Sequence, residues 1–432
     1  MNRAMKGAII LLLASLIMAG VSCCPSEEAN EIKIGVIGPM DYIQGEHHWA
    51  GAQMAAEEIN DAGGIMLGNE TYQIKLVKAD SNEIISPTDA VLAMEKLITV
   101  DKVDFVVGGF RSESVIAMQE TAMENEMIFL GCGASDNLLC ENVAEDYETY
   151  KYWFRVSPVN GKYLTTISFM LAGMVAQEIG SLGVAPKVAI LAENNVWANP
   201  LVDAAEATFP GMGMEVVKTL RPSQMATDVT AELTAIELAG ANMIYTAVSG
   251  PLGVAYTTQW GQMEIPAASV GINVEAQKGN FLDVTSGDGA YETTLNTYAR
   301  VEITDETIPF YDSFVDRFEE VPIYTAGTYE ALHILKAAIE SADTLDADAV
   351  VTALEATDLI GPAGRLVYMG TDTATPHDIT WGPGYVTGLG VQWQDGVLEC
   401  VWPNAGGSLG ALEYEGTVDY ILPPWVLTAL TE

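Results

Sequence analysis

Three glycine-flanked turns carry residue types that could hold a small molecule: residues 38–45 (GPMDYIQG), 108–114 (GGFRSES) and 131–137 (GCGASDN). In the second, Ser112 stands where a helix should begin, and in the third Ser135 does the same. A serine at such a place commonly caps the helix by accepting from a free backbone N–H. Two of them on neighbouring strands, beside the N–H groups of positive helix ends, would also form a seat for a carboxylate. On spacing alone, capping comes ahead of binding. Catalytic motifs are scarce: a P-loop and an HExxH zinc motif are absent, and Gly35-Val36-Ile37-Gly38 lacks the spacing of a dinucleotide fingerprint. His47 and His48 are adjacent and so diverge on a helix, while His333 and His377 stand far off in sequence. Asp80-Ser81-Asn82 follows a strand and reads as a solvated turn. No metal, cofactor or catalytic residue is expected.

The elements that would position these turns alternate in kind. Ile32, Ile34, Val36 and Ile37 form a short apolar run suited to a strand buried on both faces of a parallel sheet. From Trp49 the residues Ala52, Gln53, Ala56 and Ile59 recur at helical spacing until Gly63-Gly64 ends the helix. The pattern repeats with strands at 72–79, 103–107 and 127–130 and helices at 87–100 and 112–125. It restarts with strands at 188–191, 215–219, 243–247 and 268–272 and helices at 201–209, 228–239 and 252–260. Such alternation means βαβ units, parallel sheets and right-handed crossovers, and two copies of it predict two α/β lobes. Turns at the carboxyl ends of the strands are where such sheets bind ligands. Residues 310–355 read as mostly helical. Residues 361–422 are rich in glycine, proline and aromatics, with short strands at 391–393 and 397–402, and have too few core residues for a separate domain.

The first 23 residues read as an export signal: Arg3 and Lys6, an apolar stretch from Ala8 to Ala19, then Gly20-Val21-Ser22-Cys23. Cys23 stands where an exported lipoprotein carries its lipid, and residues 24–30 make a polar tether. No second long apolar run follows, which argues against a multi-span membrane protein. The formal charge is -40, and two units lower without Arg3 and Lys6. Only 19 lysines and arginines stand against 59 acids, while charged residues make up 18%, below the roughly 25% of ordinary domains. Bases are missing more than acids are added. Nucleic acid and anionic membrane surfaces, both polyanions, are poor partners for such a body. Beyond Cys23 and Cys24 the cysteines are Cys132, Cys140 and Cys400, without CxxC or metal spacing. Cys132 and Cys140 could form a disulfide, and buried free thiols are about as expected.

Seven stretches in order, IKIGVIGP, AGAQMAAEEINDAGGI, DKVDFVVGGFRSE, GASDN, FRVSP, VAILAENNVWANPLVDA and VQWQDG, resemble the type I periplasmic binding proteins. More narrowly, the chain looks like the solute receptors of branched-chain-amino-acid-type ABC importers, from about Ile32 to Trp402. The resemblance implies two Rossmann-like lobes joined by three crossings, closing on a solute without catalysis. It implies lobe 1 from residues 31–155 and 293–360, and lobe 2 from 156–292 and 361–432. Ser112 and the loop Gly133, Ala134 and Ser135 match positions that hold a ligand carboxylate. Trp197 matches an aromatic that covers the ligand from the second lobe, Tyr42 or Gln44 would be its partner in the first, and Tyr324 its partner from the later crossing. Asn273, with Glu275 two residues on, lies in line with the family's acid for an ammonium group; an amide there does not neutralise charge. The ligand implied is an amino acid or a related carboxylate or amide. The partners implied are importer membrane subunits, with the membrane reached through the lipid anchor only. A sensory receptor of the same fold and a small-amide hydrolase are the competing readings.

Overall fold

The computed structural model describes residues 30–403, 414 and 417–432; the leader, Cys23 and tether residues 24–29 lie outside them. The first sheet contains β1 (Asn30–Gly38), β2 (Ile65–Leu67), β3 (Glu70–Asp80), β4 (Phe105–Gly108), β5 (Phe129–Gly131) and β6 (Trp153–Arg155), in the order β2-β3-β1-β4-β5-β6. All neighbours are parallel except the β2/β3 pair. Ile32, Ile34, Val36 and Ile37 are fully buried, because helices cover both faces of β1. Each such side chain contributes about 1.5–3 kcal/mol by leaving water. β1 has β3 on one side and β4 on the other, so the strand order reverses there, and the crevice beyond that reversal is where the serine turns emerge.

The second sheet contains β7 (Lys187–Ala192), β8 (Glu215–Leu220), β9 (Met243–Val248), β10 (Ala268–Asn273) and β11 (Thr293–Asn296). After a separate hairpin of β12 (Asp358–Gly361) and β13 (Gly364–Val367), the sheet is completed by β14 (Leu389–Gln394) and β15 (Val397–Trp402). Its order is β15-β14-β11-β10-β9-β7-β8, parallel from β11 to β8 and antiparallel at β14 and β15. Two α/β lobes are therefore present, and the glycine-rich end of the chain is an edge of the second sheet.

The lobe boundaries differ from those expected at two places. Thr293–Asn296 pairs with β10 and β14 and so belongs to the second sheet, not the first lobe. Residues after 361, expected in the second lobe, begin on the first. Ala363 donates its N–H to Glu330 Oε1 at 2.8 Å, and His377 bridges the Trp153 carbonyl and Glu355 at 2.9 Å each. Asp378 pairs with Arg155 at 2.9 Å, both fully buried. Sequence order hides this because a chain crossing between lobes leaves no periodic signal.

Two elements also depart from expectation. The first helix is Ile43–Asp61, not one starting near Trp49, so the turn after β1 shrinks to residues 39–42. Gly45 permits this approach, since a Cβ there would lie 2.3 Å from the Pro39 oxygen. The helix Gly161–Ser181 is absent from the sequence reading, although Ile167, Leu171, Val175 and Ile179 recur every fourth residue and are buried. Apolar residues on its other faces blur that stripe.

Candidate functional site

Backbone geometry brings the two serine turns together. β4 and β5 are parallel neighbours, and Gly133 lies so close to the preceding turn that a Cβ would fall 2.3 Å from the Gly109 oxygen. Ser112 opens the helix Ser112–Glu124, whose cap position is Arg111 without a side-chain cap bond. Capping, the favoured reading from spacing, is therefore not what Ser112 does. Among the described residues neither the Ser112 nor the Ser135 hydroxyl has a protein partner, and both line a cleft between the lobes.

That cleft encloses about 1010 Å³, its mouth included. Ser112, Gly133 and Ser135 border it from the first lobe, Trp197 and Ser249 from the second, and Tyr324 from a crossing segment. Most of the remaining wall is apolar, including Phe110, Val156, Leu164, Ile272, Val274 and Leu389. Phe110 and Tyr324 lie tilted together with ring centroids 6.4 Å apart. Past Trp197 the gap widens toward Lys162, Thr165 and Phe169, still bordered by Ser112 and Ser135.

Five expected site residues lie elsewhere. Tyr42 caps the first helix and is 41% exposed, and Gln44 is buried in that helix's first turn; neither lines the cleft. Ala134 turns its carbonyl to the Arg155 guanidinium. Asn273 is fully buried behind the wall, its amide donating to Thr257 Oγ1 at 2.9 Å and Glu292 at 3.2 Å. Glu275 accepts from Lys278 at 2.5 Å and from the Gly250 N–H at 3.0 Å. Asn273 ends β10 between Ile272 and Val274, which border the cleft, and Glu275 lies in the 3₁₀ turn that follows; neither side chain lines the cleft.

Other residues form the polar frame, and the sequence reading passes over them. Glu83 is buried and accepts from the backbone N–H groups of Phe110 and Arg111 at 2.9 and 2.7 Å and from Ser81 at 2.8 Å. Burial pushes its carboxyl up to about 7. Arg111 reaches across the gap to Gln224 Oε1 at 3.4 Å, and Gln224 donates to Ser249 Oγ at 3.1 Å. Ser249 donates through N–H and hydroxyl to Glu193 at 2.9 Å each, and Glu193 accepts from the Trp197 indole at 2.5 Å. Burial also raises the Glu193 carboxyl. Gln277 borders the cleft at 4% exposure with its Oε1 unpartnered. A signal was present for Arg111, a rare cation inside a glycine turn.

The histidines do not form a site. His47 Nδ1 accepts from the Ile323 N–H at 3.2 Å and His48 Nε2 lies 3.2 Å from the Cys132 carbonyl. Burial depresses them to about 3 and about 4. Cys132, Cys140 and Cys400 are free and buried, so the considered Cys132–Cys140 disulfide is not formed. Among the described residues no cluster could hold a metal. The GxSxG motif, expected to be absent, is spelled by Gly406-Gly407-Ser408-Leu409-Gly410, which lies outside the described residues.

Two α/β lobes with unpartnered hydroxyls on one side of a buried gap and an indole on the other define a solute-binding protein of the two-lobed class. The family profile described as periplasmic binding protein matches residues 31–382, and the chain belongs to that family. It is 30% identical over 244 residues to an amino acid binding protein of Pseudomonas aeruginosa, spanning 56% of this chain and 58% of that one. It is 22% identical over 407 residues to Leu/Ile/Val-binding protein homolog 7 of Brucella abortus, 91% of this chain and 96% of the other. A solute binding protein of an ABC transporter from R. palustris, solved with benzoate, superposes with a TM-score of 0.68 at 18% identity, covering 90% of this chain and 99% of that one.

Proposed function

We propose that the protein is the extracytoplasmic solute receptor of an ABC importer, binding a small carboxylate-bearing solute by closure of its lobes. The observation that carries this is the convergence of Ser112 and Ser135 from one lobe with Trp197 from the other on one cleft. Hydroxyls and backbone N–H groups would hold the carboxylate while the indole covers the body, and closure would present one joined surface to the membrane subunits. Family membership and the relatives' names for amino acid binding support the reading. A receptor is favoured over an amide hydrolase because Ser112 has no hydrogen-bonded base among the described residues, and a nucleophilic serine needs one.

Export follows from the family, and we assign the lipid anchor to Cys23. Replacing it, Cys23→Ser, is expected to move the protein from the membrane fraction to the soluble one. The binding reading is tested by thermal unfolding against a library of amino acids, amides and carboxylates, since a ligand held only by the folded state raises the midpoint. Carboxylates should raise it, and Ser112→Ala should weaken that shift. Midpoint shifts from non-carboxylates alone would remove the assignment of the serine turns. Turnover of an amide that is lost in Ser112→Ala would favour the hydrolase.

A further inference from the structure

Among groups that could meet a ligand's positive charge, those beside the cleft are already engaged. The charged residues lining its inner part are Arg111 and Glu113, and they pair with each other: Nε to Oε1 at 2.8 Å and Nη2 to Oε1 at 2.6 Å; in the wider part past Trp197, Asp136 accepts from the Leu138 N–H at 2.9 Å and stands on the same border as Lys162. Glu193 behind Ser249 is occupied by the indole and by both Ser249 donors. Glu275 is neutralised by Lys278, and Asn273, in line with an ammonium partner by sequence, is sealed in a buried network with Thr257 and Glu292. What remains on that wall is Gln277. Its Nε2 donates to the Leu295 carbonyl at 2.6 Å, which fixes the amide so that Oε1 is the free end. The amide cannot be turned over without setting oxygen against oxygen. Gln277 therefore offers an acceptor with no charge. The rest of that side is Ile272, Val274 and Leu295.

A zwitterion entering such a space would bury its ammonium without a counter-charge, and an isolated buried charge is far costlier than a hydrogen-bonded neutral group. The carboxylate end is better served, by two free hydroxyls beside the N–H groups at the start of the helix Ser112–Glu124. Resting on the receptor reading above, we infer that the cleft selects monocarboxylates with an apolar or aromatic body and no ammonium group, and that Gln277 receives a neutral O–H or N–H donor where the solute carries one. Solute choice then follows from which acids the fold takes out of the cleft wall.

Matched pairs differing only in the ammonium group test this. Dissociation constants of the full mature protein are measured by calorimetry at pH 7 for 3-phenylpropanoate against phenylalanine and for 4-methylpentanoate against leucine. The des-amino member of at least one pair should bind tenfold or more tightly than its partner. Equal or tighter binding of the amino acids overturns the inference and leaves the receptor reading standing. Binding by neither member of either pair also overturns it, and the wider solute library then decides the receptor reading separately. Gln277→Glu, which puts a carboxylate on that wall, should narrow the gap within the pair at least tenfold. An unchanged gap in a folded variant would mean that shape rather than charge excludes the ammonium, which also overturns the assignment.

Discussion

Trp197 donates its indole N–H to Glu193 at 2.5 Å, and Glu193 itself is fully buried, held by the Ser249 N–H and hydroxyl. The aromatic that faces the cleft is thus oriented by a carboxyl that sits at the end of β7. A charge-assisted bond of this kind is about twice as strong as a neutral one.

Glu193→Ala is accordingly expected to release the indole and leave Ser249 without its acceptor. Solute affinity should fall at least tenfold, with stability lowered by about 1–3 kcal/mol. Calorimetric titration and urea unfolding measure the two effects separately. Unchanged affinity would mean that packing alone orients Trp197.

Arg155 and Asp378 join the first sheet to the returning chain at 2.9 Å, with neither side chain exposed. Burial raises the Asp378 carboxyl while Arg155 beside it opposes the rise, and Asn160 donates to the other oxygen at 2.7 Å. Asp378→Ala would strand a buried guanidinium, a loss of about 3–5 kcal/mol. A thermal midpoint within a degree of the parent would show that water reaches Arg155.

Glu292 is buried beside Asn273, and burial pushes its carboxyl up to about 7 from the ordinary 4.5. A carboxyl whose folded value is raised binds its proton more tightly when folded. Its contribution is fully present below pH 4.5 and is lost as the pH rises through about 7. Glu292→Gln removes that ionisation. The variant should therefore gain stability relative to the parent between pH 5 and pH 8, on the order of a few kcal/mol. Urea unfolding at the two pH values checks the sign.

His47 and His48 act in the opposite sense. Buried and depressed to about 3 and about 4 from 6.5, they bind protons more tightly in the unfolded chain. Stability from keeping them neutral is present above pH 6.5 and is lost as the pH falls toward those values. His47→Gln should flatten the acid limb of the midpoint against pH, read by scanning calorimetry between pH 3 and pH 6.

With 59 acids against 19 bases, self-repulsion should be screened by salt. Unfolding midpoints are expected to climb across a sodium chloride series, and a flat response would show that self-repulsion does not limit the stability of the fold.

Much of this was legible in the sequence, because each feature concerned is local. Apolar runs such as 32–37 and glycines such as Gly108 and Gly131 follow from the pleat and turn of a buried strand, and their alternation with helical stripes declares two α/β lobes. Ser112 and Ser135 were visible as polar residues at strand ends, and Trp197 through the family resemblance. The sequence order alone therefore determined the lobes, the turns and the kind of residue offered at each. The tertiary structure decided which of these meet. Asn273 and Glu275 sit at the right strand end yet turn into a buried network, Tyr42 and Gln44 are carried off by an earlier helix start, and Arg111, Glu83, Glu193 and Gln277 enter through contacts between residues far apart in the chain. Side-chain direction after a strand depends on one or two backbone dihedrals and on what neighbouring segments leave unfilled, and neither is written in spacing.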